Sequence, residues 1–314
     1  MKSLHATLCV AAVAATFAAT PVHAAQRAFV AFTGSDANTA TGCGPTAPCR
    51  GFAAAHSVVD PGGEIIAIDA AGYGAVTITK SVTITANPGT FAGIAASTGN
   101  AVTIASAGVH VILRGLNING IGASNGVSMT AGASLSVENC VISNFTNWGI
   151  SVAGTTARVR ILDTLLRGNG AGIRLDSGPW ASIAGVRALA NNTHGIEVSG
   201  TVASTLTQVN ISDSHLSDNN LGGLYVRAQA AGSVVRTSVS RSVAAHNSAG
   251  IATDASTGIV TMTLYGNLVT GNNVGTPQSG IYAAGGTTVE STGANTVRQN
   301  GIDVNGTVTP VPAI

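Results

Sequence analysis

Charge is what this chain has least of. Only 9% of its 314 residues are charged, 14 basic against 13 acidic, where soluble domains ordinarily carry roughly 25%. A net charge of +1 builds no field for a phosphate backbone, which argues against a nucleic-acid partner. Aromatic residues are scarce as well, at 4%, and Lys80 is the only lysine after Lys2. Beyond the first segment no apolar run approaches the ~20 residues of a membrane-spanning helix. Disorder is nevertheless excluded, because 45% of the residues are hydrophobic and disorder needs low hydrophobicity with high net charge. What is plentiful is glycine, at 40 positions, alongside Thr, Ser, Asn and Val. These are mediocre or poor helix formers, so a large helical domain is disfavoured and a β-rich one expected.

Residues 1–24 read as a secretory signal peptide. Lys2 provides the positive start, Leu8 to Ala19 the apolar run, and Val22-His23-Ala24 the small-residue cleavage site. The run is too short for a membrane anchor, so the protein is expected to be secreted or periplasmic. Cys43 and Cys49 flank the short loop Gly44-Pro45-Thr46-Ala47-Pro48, and an oxidising compartment favours their pairing as a disulfide. A zinc site would need a second Cys or His pair nearby, and none is present.

An internal repeat organises the rest. A Gly followed by an aliphatic residue, usually with Asn shortly before, recurs at Gly126-Val127, Gly149-Ile150, Gly172-Ile173, Gly195-Ile196, Gly223-Leu224, Gly250-Ile251, Gly280-Ile281 and Gly301-Ile302. A second column of aliphatic and small residues runs out of phase with it. Its triplets are Val137/Cys140/Ile142, Ile161/Thr164/Leu166, Ile183/Val186/Ala188, Ile211/Ser214/Leu216, Val239/Ser242/Ala244 and Leu264/Asn267/Val269. Two columns in constant order mean short strands joined by Gly- and Asn-containing turns. They fit the coils of a parallel β-helix, whereas the Leu and Asn consensus of leucine-rich repeats is absent. Asn at successive turns, such as Asn169, Asn192, Asn220 and Asn247, can bond its own turn and tolerate left-handed φ, so a stacked asparagine ladder is expected. Cys140 then fills a small core position rather than acting as a catalytic thiol. His194 and His215 lack any partner motif.

Residues 25–60 do not follow the repeat. Phe29 to Thr33 reads as a strand, and Arg50 to Val59 has helical spacing that Pro61-Gly62-Gly63 ends. An open solenoid end exposes core and strand edges, so this piece is expected to be a cap. The expectation is thus an all-β, right-handed parallel β-helix of roughly ten coils. A cap with a short helix covers 25–60, coils fill 61–314, and 25–314 form one domain.

The run FVAFTGSDANTATGCGPTAPCRGFAAAHSVVDPGGEIIAIDAAGYGAVTITKSVTITA resembles the opening of exported bacterial right-handed parallel β-helix proteins of the pectate-lyase-like superfamily. The Gly-Ile repeats extend the similarity over nearly all of the chain after residue 24. The resemblance implies the fold, but the superfamily hosts lyases, hydrolases, binding proteins and tailspikes. Members that hydrolyse polygalacturonan carry a Gly-His-Gly and an Arg-x-Lys; this chain has neither, His194-Gly195 being the nearest approach. Related lyases use a Lys or Arg base and calcium held by clustered carboxylates. Lys80 lies in the first coil and clustered carboxylates are scarce, so no catalytic residue carries over, no metal site is expected and calcium lacks support.

Alternation along each strand after its Gly turns Ile173, Leu175, Ile196, Val198, Leu224, Val226, Ile302 and Val304 inward. One outward column then reads Ser151, Arg174, Glu197, Tyr225, Ala252, Tyr282 and Asp303; the other reads Asp176, Ser199, Arg227, Asp254, Ala284 and Asn305. Arg174, Tyr225, Tyr282 and Asp303 are the candidates for binding a polysaccharide, with the two tyrosines about 10 Å apart at two strand spacings. The opposing expectation is a solvated sheet with Arg174–Glu197 and Arg227–Asp254 as cross-strand ion pairs. A surface binding or structural protein is the leading reading. A divergent polysaccharide lyase or glycoside hydrolase is the alternative, with Asp176, Glu197, Arg227 and Asp254 as its acid, base or metal groups. An adhesin or tail-fibre segment would need a partner domain or trimer; the sequence does not indicate an oligomeric state.

Overall fold

The computed structural model describes residues 25–312; the expected signal peptide lies outside them. Within them the chain winds as a right-handed parallel β-helix, the hand that parallel strands with crossovers adopt almost without exception. Three parallel sheets of 12, 10 and 10 strands form its walls. A coil visits them in fixed order: Trp148–Ala153 in the second sheet, Arg158–Leu162 in the first, Leu165–Arg167 in the third, then Ala171–Asp176 back in the second. The second sheet's 10 strands give nine complete turns from first to last.

Two left-handed residues per coil turn the chain sharply into and out of the short third-sheet strand. One column contains Asn139, Asp163, Gly185, Asp213, Arg241 and Gly266; the other contains Asn144, Gly168, Ala190, Asp218, His246 and Gly271, all with positive φ. Asn, Asp and Gly recur there because they tolerate that conformation best. The glycines of the Gly-aliphatic repeat have a different cause. None of Gly126, Gly149, Gly172, Gly195, Gly223, Gly250 and Gly280 has a positive φ. A Cβ on Gly195 would instead meet the carbonyl of Gly223 at 2.7 Å, and one on Gly223 that of Gly250 at 2.7 Å. Each glycine lets the next coil's backbone approach.

The core is the stack of inward aliphatics. Val137, Ile161, Ile183, Ile211, Val239 and Leu264 pair in register along the first sheet, and Ile142, Leu166, Ala188, Leu216, Ala244 and Val269 along the third. All are buried, and burying one large aliphatic contributes about 1.5–3 kcal/mol. Cys140 is 1% exposed, and burial pushes its thiol up to about 11, as suits a core residue.

The asparagine ladder is present, with partly different members. Asn169, Asn191, Asn219, Asn247, Asn272 and Asn300 stack, each side-chain amide donating to the next residue's Oδ1 at 2.8–3.1 Å. Asn192 and Asn220, expected in it, form only an exposed outer contact at 3.1 Å. At the N-terminal end the helix Phe52–Val58 buries Phe52, Ala55 and His56 over the opening. The strand Ala25–Val30 pairs with Val59–Ala67 at the edge of the first sheet, so Pro61-Gly62-Gly63 does not end the helix, which stops at Val58, but lies inside the strand that follows it. Cys43 and Cys49 are disulfide-bonded.

The last coil departs from the expected register. Ile281 pairs with Val304 and Tyr282 with Asn305, two residues away from the alignment that Gly301-Ile302 suggests. Ile302 and Val304, expected inward, are 47% and 41% exposed because no described coil follows to cover them.

Candidate functional site

The expected outward column exists on the second sheet. Register runs Ser128, Ser151, Arg174, Glu197, Tyr225, Ala252, Tyr282, Asn305, so charge and aromatic rings begin only in the middle coils. Alongside lie Asp176, Ser199, Arg227 and Asp254 in register. Asp303 is not on this face. It occupies the glycine column, where a side chain fits because no described coil stacks on it. Its Oδ1 accepts the backbone and side-chain N–H groups of Asn300 at 3.2 and 3.1 Å, which close the asparagine ladder and hold its carboxyl below the usual range.

The ion pairs also differ from the expected ones. Arg174 pairs with Asp176 two residues along its own strand at 2.6 Å, and Arg227 reaches diagonally to Glu197 at 2.6 Å. Asp254 is left to accept from the Tyr225 hydroxyl at 3.3 Å. Long side chains lean along the strand, so diagonal partners win over those directly opposite. Asp176 is 4% exposed. Burial works against its charge, but hydrogen bonds from Ser177 and Thr201, with the Arg174 charge, outweigh it and hold its carboxyl below the ordinary range.

Two residues absent from the sequence-based candidates complete the cluster. The Trp148 ring lies 5.4 Å from the Arg174 guanidinium. The His194 ring stacks on Tyr225 with centroids 4.9 Å apart, in space that Gly222 leaves free beneath it. Burial first, then the Arg227 charge, pushes His194 down to about 4, so it is a neutral imidazole at physiological pH. The only signal for it in the sequence was its place one residue before a repeat glycine. His215 lies on the third sheet, away from this cluster.

The cluster is not fully satisfied. Arg174 Nε, Arg227 Nε and His194 Nδ1 are buried with no hydrogen-bond partner among the described residues. Glu197 Oε1 touches Arg227 but is not aligned for a hydrogen bond. Such orphans are uncommon and call for a water or ligand. Among the described residues no three His, Cys, Asp or Glu side chains gather to hold a metal ion. Lys80 donates to the Ser57 carbonyl at 3.2 Å beside the cap, remote from this face. A cleft of about 1030 Å³ lies elsewhere, at a corner lined by Arg27, Asn87, Phe91, Arg114 and Asn117. A polymer lying along a sheet touches it over many coils and needs no enclosed pocket, so cleft volume does not decide between them.

A family model described as a right handed beta helix region matches residues 65–309. The chain belongs to the right-handed β-helix family. This β-helix is similar to a crystal structure of the pectate lyase Pel9A, with TM-score 0.58 and 19% identity over 90% of this chain and 78% of that one. Against the A-module of the Azotobacter vinelandii mannuronan C-5 epimerase AlgE6 the TM-score is 0.38 at 12% identity, over 83% and 95% of the two chains. No curated protein sequence matches the β-helix. The likeness to the lyase is one of fold. No helix among the described residues is long and apolar enough to cross a membrane.

Proposed function

We propose that this β-helix is an exported saccharide-binding protein that holds a hydroxyl-rich polymer along the second sheet without cleaving it. The observation that carries the reading is the outward column in which Tyr225 and Tyr282 stand two strands apart, flanked by the guanidinium groups of Arg174 and Arg227 and by the His194 ring stacked on Tyr225. Sugar hydroxyls both donate and accept, so they suit N–H groups and imidazole nitrogens, while tyrosine rings suit sugar faces. A disulfide supports an oxidising, extracytoplasmic location. What weighs against lyase or hydrolase chemistry is that Asp176 and Glu197 are held by arginines and Asp254 by a tyrosine hydroxyl. A free carboxylate pair across an open groove is what glycoside hydrolysis uses.

The test is a glycan array and affinity electrophoresis of wild type against Tyr225→Ala/Tyr282→Ala, with product analysis of any bound polymer. Binding of at least one glycan that the double variant loses supports the reading. Equal retention of both proteins on every glycan refutes the site, and release of new chain ends refutes its non-catalytic character.

A further inference from the structure

The arginines of the second sheet are paired with carboxylates; on the first sheet Arg27 and Arg114, towards its N-terminal edge, are paired, but those of the middle coils are not. Arg158, Arg160 and Arg236 project from its outer face, are exposed, and form no ion pair among the described residues, in contrast to Arg114–Glu138 at 2.9 Å lower on the same sheet. In a chain with 14 basic and 13 acidic residues, three guanidinium groups without an ion-pair partner on one face are a concentration of charge, of which only Arg160 acts on a nearby carboxylate, that of Glu138. They share that face with Trp180, one of two tryptophans, which is 44% exposed.

The arrangement is linear. Arg158, Trp180, Gln208 and Arg236 pair in register on successive strands, and Arg160, Ser182, Asn210 and Ser238 form the adjoining column. Three strand spacings separate Arg158 from Arg236, about 14 Å at ~4.8 Å each. The Arg158 guanidinium lies 5.3 Å from the Trp180 ring centroid, an attraction that orders both groups before a ligand arrives. Between the cations the strip offers amides and hydroxyls.

We propose that this face of the first sheet binds an acidic polysaccharide, with Arg158, Arg160 and Arg236 pairing its carboxylates and Trp180 stacking on a sugar ring. Charge complementarity selects a polyanion. The amide and hydroxyl strip selects one rich in hydroxyl groups, and two cations on one strand with a third three strands on match carboxylates recurring along an extended chain. A duplex would need more phosphate contacts than three arginines supply, and one aromatic ring makes no stacking platform for bases. The surface is independent of the second-sheet face, so either can stand without the other.

The experiment is affinity electrophoresis and calorimetry of the whole chain with polygalacturonate and alginate. Dextran, duplex DNA and anionic lipid vesicles serve as comparisons. The variants are Arg158→Gln/Arg160→Gln/Arg236→Gln, Trp180→Ala and Tyr225→Ala/Tyr282→Ala, each checked for unchanged thermal unfolding. The expected result is polyuronate binding that salt weakens, that the triple variant loses by about tenfold or more, that Trp180→Ala weakens, and that the double tyrosine variant retains. Absence of polyuronate binding at low salt overturns the proposal, as does equal binding by the triple variant. Equal or tighter binding of DNA or vesicles overturns the choice of polymer.

Discussion

Removing one rung of the asparagine ladder tests how these coils are held together. Asn219 Oδ1 accepts the backbone N–H of Asn191 at 3.1 Å and its side-chain amide at 2.9 Å. Its own Nδ2 donates to the Ala188 carbonyl and to Asn247 Oδ1, both at 3.1 Å. The residue is 1% exposed, so water does not replace what is lost. In Asn219→Ala the Asn191 backbone N–H loses its acceptor and the Ala188 carbonyl a donor, at about 1–3 kcal/mol for each buried group left unpaired. The Asn191 side chain keeps the Leu166 carbonyl at 3.4 Å, and Asn247 Oδ1 keeps the backbone N–H of residue 219 at 2.9 Å. The net expectation is a loss of about 2–5 kcal/mol. Asn220→Ala is the control, since it removes one exposed contact and should cost under ~0.5 kcal/mol. Equilibrium denaturation measures both. Hydrogen exchange at the Asn191 amide reports locally, which matters because solenoids can unfold by segments. If the two variants shift the midpoint equally and Asn191 stays protected, the ladder is not a stabilising element.

Acid should loosen the molecule in two stages. His56 and His194 are both pushed down to about 4, chiefly by burial. The unfolded chain therefore binds protons first, and the stability they support is full above about pH 6.5 and falls towards pH 4. Allowing for partial solvent access, each histidine accounts for about 2 kcal/mol; His56→Gln and His194→Gln should each flatten the pH dependence of the unfolding midpoint, and unchanged slopes would refute the assignment. Asp176, held low by its hydrogen bonds and Arg174, acts at lower pH, its contribution being present above the unfolded carboxylate value and lost below it. Gly195→Ala drives a methyl group to 2.7 Å from the Gly223 carbonyl and should cost about 1–3 kcal/mol. Gly72→Ala, with nothing within 4 Å and no positive φ, should be neutral or slightly stabilising by thermal denaturation; equal effects of the two would contradict the close-approach explanation.

Most of the fold was legible because the repeat columns are physical columns. The triplets beginning Val137, Ile161 and Ile183 stack in register as their spacing requires. The last coil was misaligned because Gly301-Ile302 imitates the repeat, while the residue in the glycine position is Asp303, whose side chain fits where no described coil stacks on it. Asn192 and Asn220 were confused with Asn191 and Asn219 because adjacent asparagines share one composition signal and differ only in which side chain points inward. The candidate face was found through alternation, which the sequence carries. Its pairings were not, since diagonal reach depends on side-chain length and lean. Trp148 and His194 sit where strands begin, and whether such residues turn towards the face is decided by the corner's backbone, not by a repeat.

The ladder has a direction. From Asn169 to Asn272 every side-chain amide gives one N–H to the Oδ1 of its C-terminal neighbour and one to a carbonyl of the preceding coil, so the carbonyl ends of the amides all face the same way along the stack and their dipoles add rather than cancel. Like the peptide dipoles of a helix, an aligned column of this kind leaves partial positive charge at the end where donors are unspent. Asp303 puts a carboxylate at that end. A coil duplicated within the stack preserves this arrangement, but one appended after Asp303 would set a carboxylate between two rungs and its side chain against the incoming backbone. Growth of the solenoid is therefore open in its middle and closed at this terminus by one residue.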